Sequence, residues 1–220
     1  MSARRPHRWL VRYRMKADDK WQRKPRFITP ITGYRTHAQA NAALAKLVRN
    51  GYRGHVAAYD YLAILALAEA KKLVGVREHG GNNRGTKVME IIRANGGTGP
   101  EPWCGDFVAW CYRRAGSEAV TRSWAAVRLL GSLSGMKRIG KRDAVPGDIV
   151  RFTFDHTGIV EHYCDSAGRK VGADRATHMA TIEGNTGSDG AASDSAGGGD
   201  GVHRRRRSLA LVKDCVMVLR

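Results

Sequence analysis

Glu101-Pro102-Trp103-Cys104-Gly105-Asp106-Phe107-Val108-Ala109-Trp110-Cys111 is the stretch on which the reading of this 220-residue chain turns. Pro102 has no backbone N–H to donate and suits the approach to a first helical turn, so the run predicts a helix that opens at Cys104. Cys104, Phe107, Val108 and Cys111 recur at i, i+3, i+4 and i+7, the stripe of a helix laid on a core. The unpaired N–H groups of a first turn carry partial positive charge and favour a thiolate over a thiol. Cys104 is therefore a candidate nucleophile, whereas Cys111 reads as a small core hydrophobe. A thiol in that role needs a base.

Asp148-Ile149-Val150-Arg151-Phe152-Thr153-Phe154 alternates as a strand does, breaks at Asp155, and is followed by His156-Thr157-Gly158-Ile159-Val160-Glu161-His162-Tyr163, a second alternating run. At period two, His156, Gly158 and Val160 share a face, and the missing side chain at Gly158 leaves room there for a helix carrying Cys104. A third strand, Thr181-Ile182-Glu183-Gly184-Asn185, puts Thr181, Glu183 and Asn185 on one face, so either Glu183 or Asn185 is placed to hold the imidazole. His162 and His178 read as surface histidines. Val202-His203-Arg204-Arg205-Arg206-Arg207-Ser208 reads as a strand whose arginine run forms a solvated edge, which discourages further pairing. Leu209 to Leu219 is expected to close the sheet as a strand pair.

A thiol, a histidine and an acid or amide in that chain order follow the scheme of a papain-like site, in which a base takes the thiol proton and a third group fixes the base's tautomer. The residues also carry a resemblance. Gly75-Val76-Arg77-Glu78, Asn82-Asn83-Arg84-Gly85, Pro102 to Cys111 and Ala115-Gly116 resemble the first half of a CHAP (cysteine, histidine-dependent amidohydrolase/peptidase) domain. Pro146-Gly147-Asp148-Ile149-Val150, His156 to Val160, Ile182 to Thr186 and Gly201 to Ser208 resemble its second half, in family order from about Tyr61 to Arg220. The resemblance implies an α+β, papain-like fold of N-terminal helices packed on an antiparallel sheet. It further implies a peptidoglycan hydrolase of the bacteriophage lysin type that cuts an amide bond of the wall, as amidase or endopeptidase. Carried over by residue, Cys104 is the nucleophile, His156 the general base and Glu183 the orienting acid, with Asn185 close behind. Two departures stand out. Asp155 precedes His156 where many relatives have a small or apolar residue, which puts a carboxylate near the imidazole to raise its pKa. No Gln or Asn lies between Gly96 and Trp103, so the Cys104 N–H, with Asn82 or Asn83 folded back, is expected to supply the oxyanion donors.

Four cysteines, Cys104, Cys111, Cys164 and Cys215, do not make a disulfide framework in a chain of this size. The spacing from Cys104 to Cys111 is not that of a close zinc pair. The stretch Asn95 to Gly99, where some relatives bind calcium, has no carboxylate, and Gly187 to Gly201 lacks calcium-loop spacing and reads as an excursion between strands. No metal and no cofactor is expected.

Charge divides the chain. Residues 1–59 hold 14 Lys and Arg against 2 acids, or +12 of the total +18. Such a segment suits a polyanion, a phosphate-bearing wall polymer before nucleic acid. The segment also has the pattern of a small folded module. Trp9, Val11, Tyr13 and Met15 alternate, Phe27-Ile28-Thr29 forms a second strand, Thr36-His37-Ala38-Gln39 has the form of a capping box for a helix ending at Asn50-Gly51, and Tyr52 to Tyr59 returns as a third strand. The expected organisation is thus a basic ββαβ module at 1–59, for wall attachment or virion docking, and a catalytic domain at 60–220 acting as a monomer. Asp60 is placed to cap a helix through Leu73 that is too short for a membrane span. The first thirty residues have no apolar stretch of the kind a secretory leader needs, so delivery by host lysis or on a virion is expected. The competing class is a basic nucleic-acid-binding or virion structural protein whose CHAP-like half is inactive.

Overall fold

The computed structural model describes residues 8–14, 16–17, 20–21, 26–28, 39, 42–43, 45–46, 53–59, 62–117, 119–120, 136–187 and 199–218. The chain forms two compact units, Met1–Tyr61 and Leu62–Arg220. In the first, β1 (Arg8–Arg14) lies between β4 (Arg26–Ile28) and β5 (Arg53–Tyr59), antiparallel to both. Two short strands, β2 (Lys16–Ala17) and β3 (Lys20–Trp21), pair with each other. Positions 39, 42, 43, 45 and 46 are helical. Thr36 of the expected capping box, the Asn50-Gly51 stop and the Asp60 cap lie outside the described residues.

Among its described residues the second unit has three helices, α1 (Leu62–Leu73), α2 (Thr86–Ala94) and α3 (Cys104–Ala115). They accompany a six-stranded antiparallel sheet of β6 (Met136–Ile139), β7 (Ile149–Phe152), β8 (Thr157–Cys164), β9 (His178–Thr186), β10 (Gly201–Ser208) and β11 (Val212–Val218). The strand order is β10-β9-β8-β7-β11-β6. α1 buries Ala63, Ala66, Leu67, Ala70 and Leu73, one helical stripe whose alanines let its backbone come close. α3 buries the predicted stripe of Cys104, Phe107, Val108 and Cys111 and stops at Gly116, which adopts the left-handed conformation at φ 99° that ends many helices.

Alternation along the strands then builds two cores. Ile149, Ile159, Ile182, Val202 and Val216 face the helices, while Val150, Phe152, Val160, Met179, Val212 and Cys215 form a second cluster across the sheet. Burial of both faces explains why β7 is closed to solvent at all four positions, Arg151 included. The Arg151 guanidinium is held there by a two-pronged pair with Asp214 on β11, at 2.7 and 2.5 Å.

Three expectations need correction. The segment after Leu209 is not a strand pair but a turn through Leu211 followed by the single strand β11, which inserts between β7 and β6. Neither β6 nor α2 was expected, since four residues with only their ends half-buried carry little pattern and α2 buries just Val88, Ile91 and Ile92. The arginine run is not a solvated edge throughout. Arg204 and Arg206 are exposed, but Arg205 and Arg207 are buried. The outer side of β10 is also paired at its start: Gly75 N–H donates to Val202 O, Val202 N–H to Val76 O and Glu78 N–H to Asp200 O, at 2.9, 2.8 and 2.6 Å.

Candidate active site

Cys104 is the first residue of α3, and Trp103 before it provides no side-chain cap for the first-turn N–H groups. Phe107 N–H donates to Trp103 O, the first rung of the helix ladder, so Cys104 lies in the first turn. Cys104 is buried, 7% exposed, as are the other three free cysteines. Burial, and then the Glu69 carboxylate, hold the Cys111 thiol well above its ordinary pKa, which suits its place in the core.

His156 stands immediately before β8, 4% exposed, with its side chain beside those of Cys104 and Glu183. The contact to Glu183 runs from Nε2 to Oε2 at 2.9 Å. A carboxylate can only accept, so Nε2 carries the proton and Nδ1 is the nitrogen left for Cys104. Burial pulls the imidazole pKa down, but the hydrogen bonds and charges of Cys104 and Glu183 outweigh it and raise it to about 9. Burial likewise pushes the Glu183 carboxyl up, but His156 and then Arg207 draw it down to about 2. Asp155, expected beside the imidazole, is exposed, and the carboxylate acting on His156 is that of Glu183.

Two glycines bring these groups together, and the role of Gly158 differs from the expected one. A Cβ at Gly158 would lie 2.6 Å from Glu183 Cγ, so the space that it leaves is taken by Glu183 and not by the helix. The helix rests on the other face of the sheet, over Gly184, where a Cβ would lie 2.5 Å from Phe107 Cβ and 2.9 Å from the Trp103 ring. Cys104 meets His156 at the end of the sheet because His156 precedes the strand.

Of the two orienting candidates, Glu183 makes the contact to His156. Asn185 is buried with φ 54° and its Oδ1 has no hydrogen-bond partner among the described residues. Of the two oxyanion candidates, Asn82 is exposed, whereas Asn83 is buried, with φ 56° and an Oδ1 likewise without a partner among the described residues. Glu78 ties Asn83 to the helix start: Oε2 accepts from Asn83 N–H at 2.6 Å and Oε1 from Trp103 Nε1 at 2.8 Å. His162 and His178 are half-buried. His203, opposite Glu183 in register, faces Asp200 at 2.8 Å, and positions 188–198 of the expected excursion lie outside the described residues.

Sequence reading missed Arg207. Its Nη2 donates to Glu183 Oε2 at 2.7 Å and its Nε to Oε1 at 3.1 Å, while Thr181 Oγ1 also donates to Oε1, at 2.5 Å. The signal lay in the run itself: at period two, Arg205 and Arg207 share a face with Thr181 and Glu183 on the next strand.

Residues 95–185 match the family model of the CHAP domain. The match covers less than half of the chain and is consistent with a CHAP domain, a class that typically comprises amidases and peptidases acting on peptidoglycan. No curated protein and no solved structure matches the chain. No helix among the described residues is long and apolar enough to cross a membrane.

Proposed function

We propose that this protein is a cysteine-dependent peptidoglycan hydrolase that cuts an amide bond of the wall. The observation that carries the reading is one buried imidazole that lies beside the Cys104 thiol and is hydrogen-bonded to Glu183. His156 Nδ1 takes the Sγ proton of Cys104, and the thiolate attacks the carbonyl carbon of the scissile amide. The tetrahedral oxyanion is met by the N–H of Cys104 and the side-chain amide of Asn83. The imidazolium returns its proton to the leaving nitrogen as the C–N bond breaks, which leaves a thioester on Cys104. Water then attacks the thioester, His156 takes a proton from it, and the C–S bond breaks to free a carboxyl group and the thiol. Glu183 stays ionised throughout and keeps the ring in one tautomer.

Purified cell walls test this directly. Wild-type protein is expected to clear a wall suspension and Cys104→Ala to leave it turbid, with mass spectra of the released fragments naming the bond from its new termini. Equal clearing by the two proteins would refute the nucleophile. A protein that clears no walls but retards DNA at physiological salt would instead support a binding role.

A further inference from the structure

We propose that Arg207 is a positioning residue of the active site, whose guanidinium fork holds Glu183 in the orientation and charge that aim His156 at Cys104. The inference rests on the catalytic reading above and adds a fourth member to it. Glu183 is fully buried and Arg207 nearly so, at 0% and 3% side-chain exposure, so solvent does little to screen either charge.

The carboxylate is saturated. Oε1 accepts from Thr181 Oγ1 and Arg207 Nε, and Oε2 accepts from Arg207 Nη2 and His156 Nε2, which leaves it no free rotation. Arg207 is fixed in turn by the rings on which it lies, 5.3 Å from the centre of Phe152 and 5.5 Å from that of Phe154. The same two rings stack with the His156 imidazole at 5.8 and 6.0 Å, so one aromatic pair registers both the base and the residue behind it. A two-pronged grip fixes direction as well as charge, which a lysine ammonium does not.

Charge gives the second reason. In the ion-paired state the line from Arg207 through Glu183 and His156 to Cys104 alternates plus, minus, plus, minus. Among the described residues of β10, His203 stands opposite Glu183 but is turned to Asp200, and Arg205 on the same face donates to Gly187 O at 2.8 Å. Without Arg207 the remaining three groups carry a net negative charge in a buried site, and such a site takes up a proton. Glu183 protonated no longer anchors the imidazolium.

The test uses the full-length protein with two readouts, wall clearance and iodoacetamide labelling of Cys104 followed by intact mass. Labelling requires no substrate, Cys104 at 7% is the most exposed of the four cysteines, the others standing at 0–1%, and Cys104→Ala provides the blank. Arg207→Met is expected to move the acid limb of labelling up by at least about one pH unit. Its turnover is expected to fall about a hundredfold, within the range a positioned general base contributes. Arg207→Lys restores the limb but only part of the turnover. In a Glu183→Gln background, where there is no charge to hold, Arg207→Met changes neither readout further.

A folded Arg207→Met with the wild-type limb and turnover overturns the proposal, as does an effect of equal size in the Glu183→Gln background. If circular dichroism shows Arg207→Met unfolded, Arg207→Lys decides: full turnover in that variant overturns positioning by the fork, and a partial loss upholds it. Wall clearance by Cys104→Ala would sink the catalytic reading itself, whatever Arg207 does.

Discussion

Glu183 keeps its charge in a place where charge is costly, and that can be tested by titration. Its carboxyl is held at about 2, below its ordinary 4.5, so its contribution to stability is present above the ordinary value and is lost as pH falls towards 2. His156 is raised from 6.5 to about 9, so its contribution is full below 6.5 and is lost as pH rises towards 9. The two shifts describe largely one ion pair, which is strongest where both partners are charged. Urea midpoints are expected to fall between about pH 6.5 and about pH 9 in wild type and to change less in His156→Gln. Parallel curves for the two proteins would show that the pair is not the source. Cys104 and His156 could be singled out as candidates because a Pro before a helix and a His before a strand are local signals. Arg207 was not, because a run of arginines looks solvated until the strand beside it shows which of them face inward.

At the scale of elements, the approach of α3 to the sheet depends on Gly184. A methyl there meets Phe107 and Trp103 well inside contact distance, and both are core residues with little freedom to move. Gly184→Ala is expected to destabilise the protein by about 1–3 kcal/mol through overpacking. It should also lower turnover, because the helix that must move carries Cys104. Gly99→Ala, with nothing within 4 Å of the added carbon, is the control and is expected to leave the melting temperature unchanged. If both variants melted alike, the close approach would not matter. The helix start, the buried stripe and strands near β7, β8 and β9 could be read from periodicity. The role of Gly158 could not, since a gap beside a strand does not say which neighbour fills it; the register opposite Glu183 does.

At the scale of the molecule, charge is divided more sharply than structure. Residues 1–59 carry two thirds of the net positive charge, and we propose that this segment attaches the protein to anionic wall polymer. Cys104→Ala, chosen to remove cutting, is expected to sediment with whole walls at low salt, to be released as salt rises, and to bind poorly to walls stripped of their phosphate polymers. Binding that is indifferent to both salt and stripping would rule out this role. The division itself could be read from composition, because charge density needs no coordinates.

What the sequence determined by itself was the chemistry on offer and its order along the chain: a thiol at a helix start, a histidine at a strand start, an acid on the strand that follows, and a basic first quarter. These are local properties, written within a few residues of each position. Only the tertiary structure decided which carboxylate meets the imidazole, which arginine holds that carboxylate, and which glycine admits the helix. Those choices depend on strand register and on which face of the sheet is buried, and both are set by contacts between residues far apart in the chain.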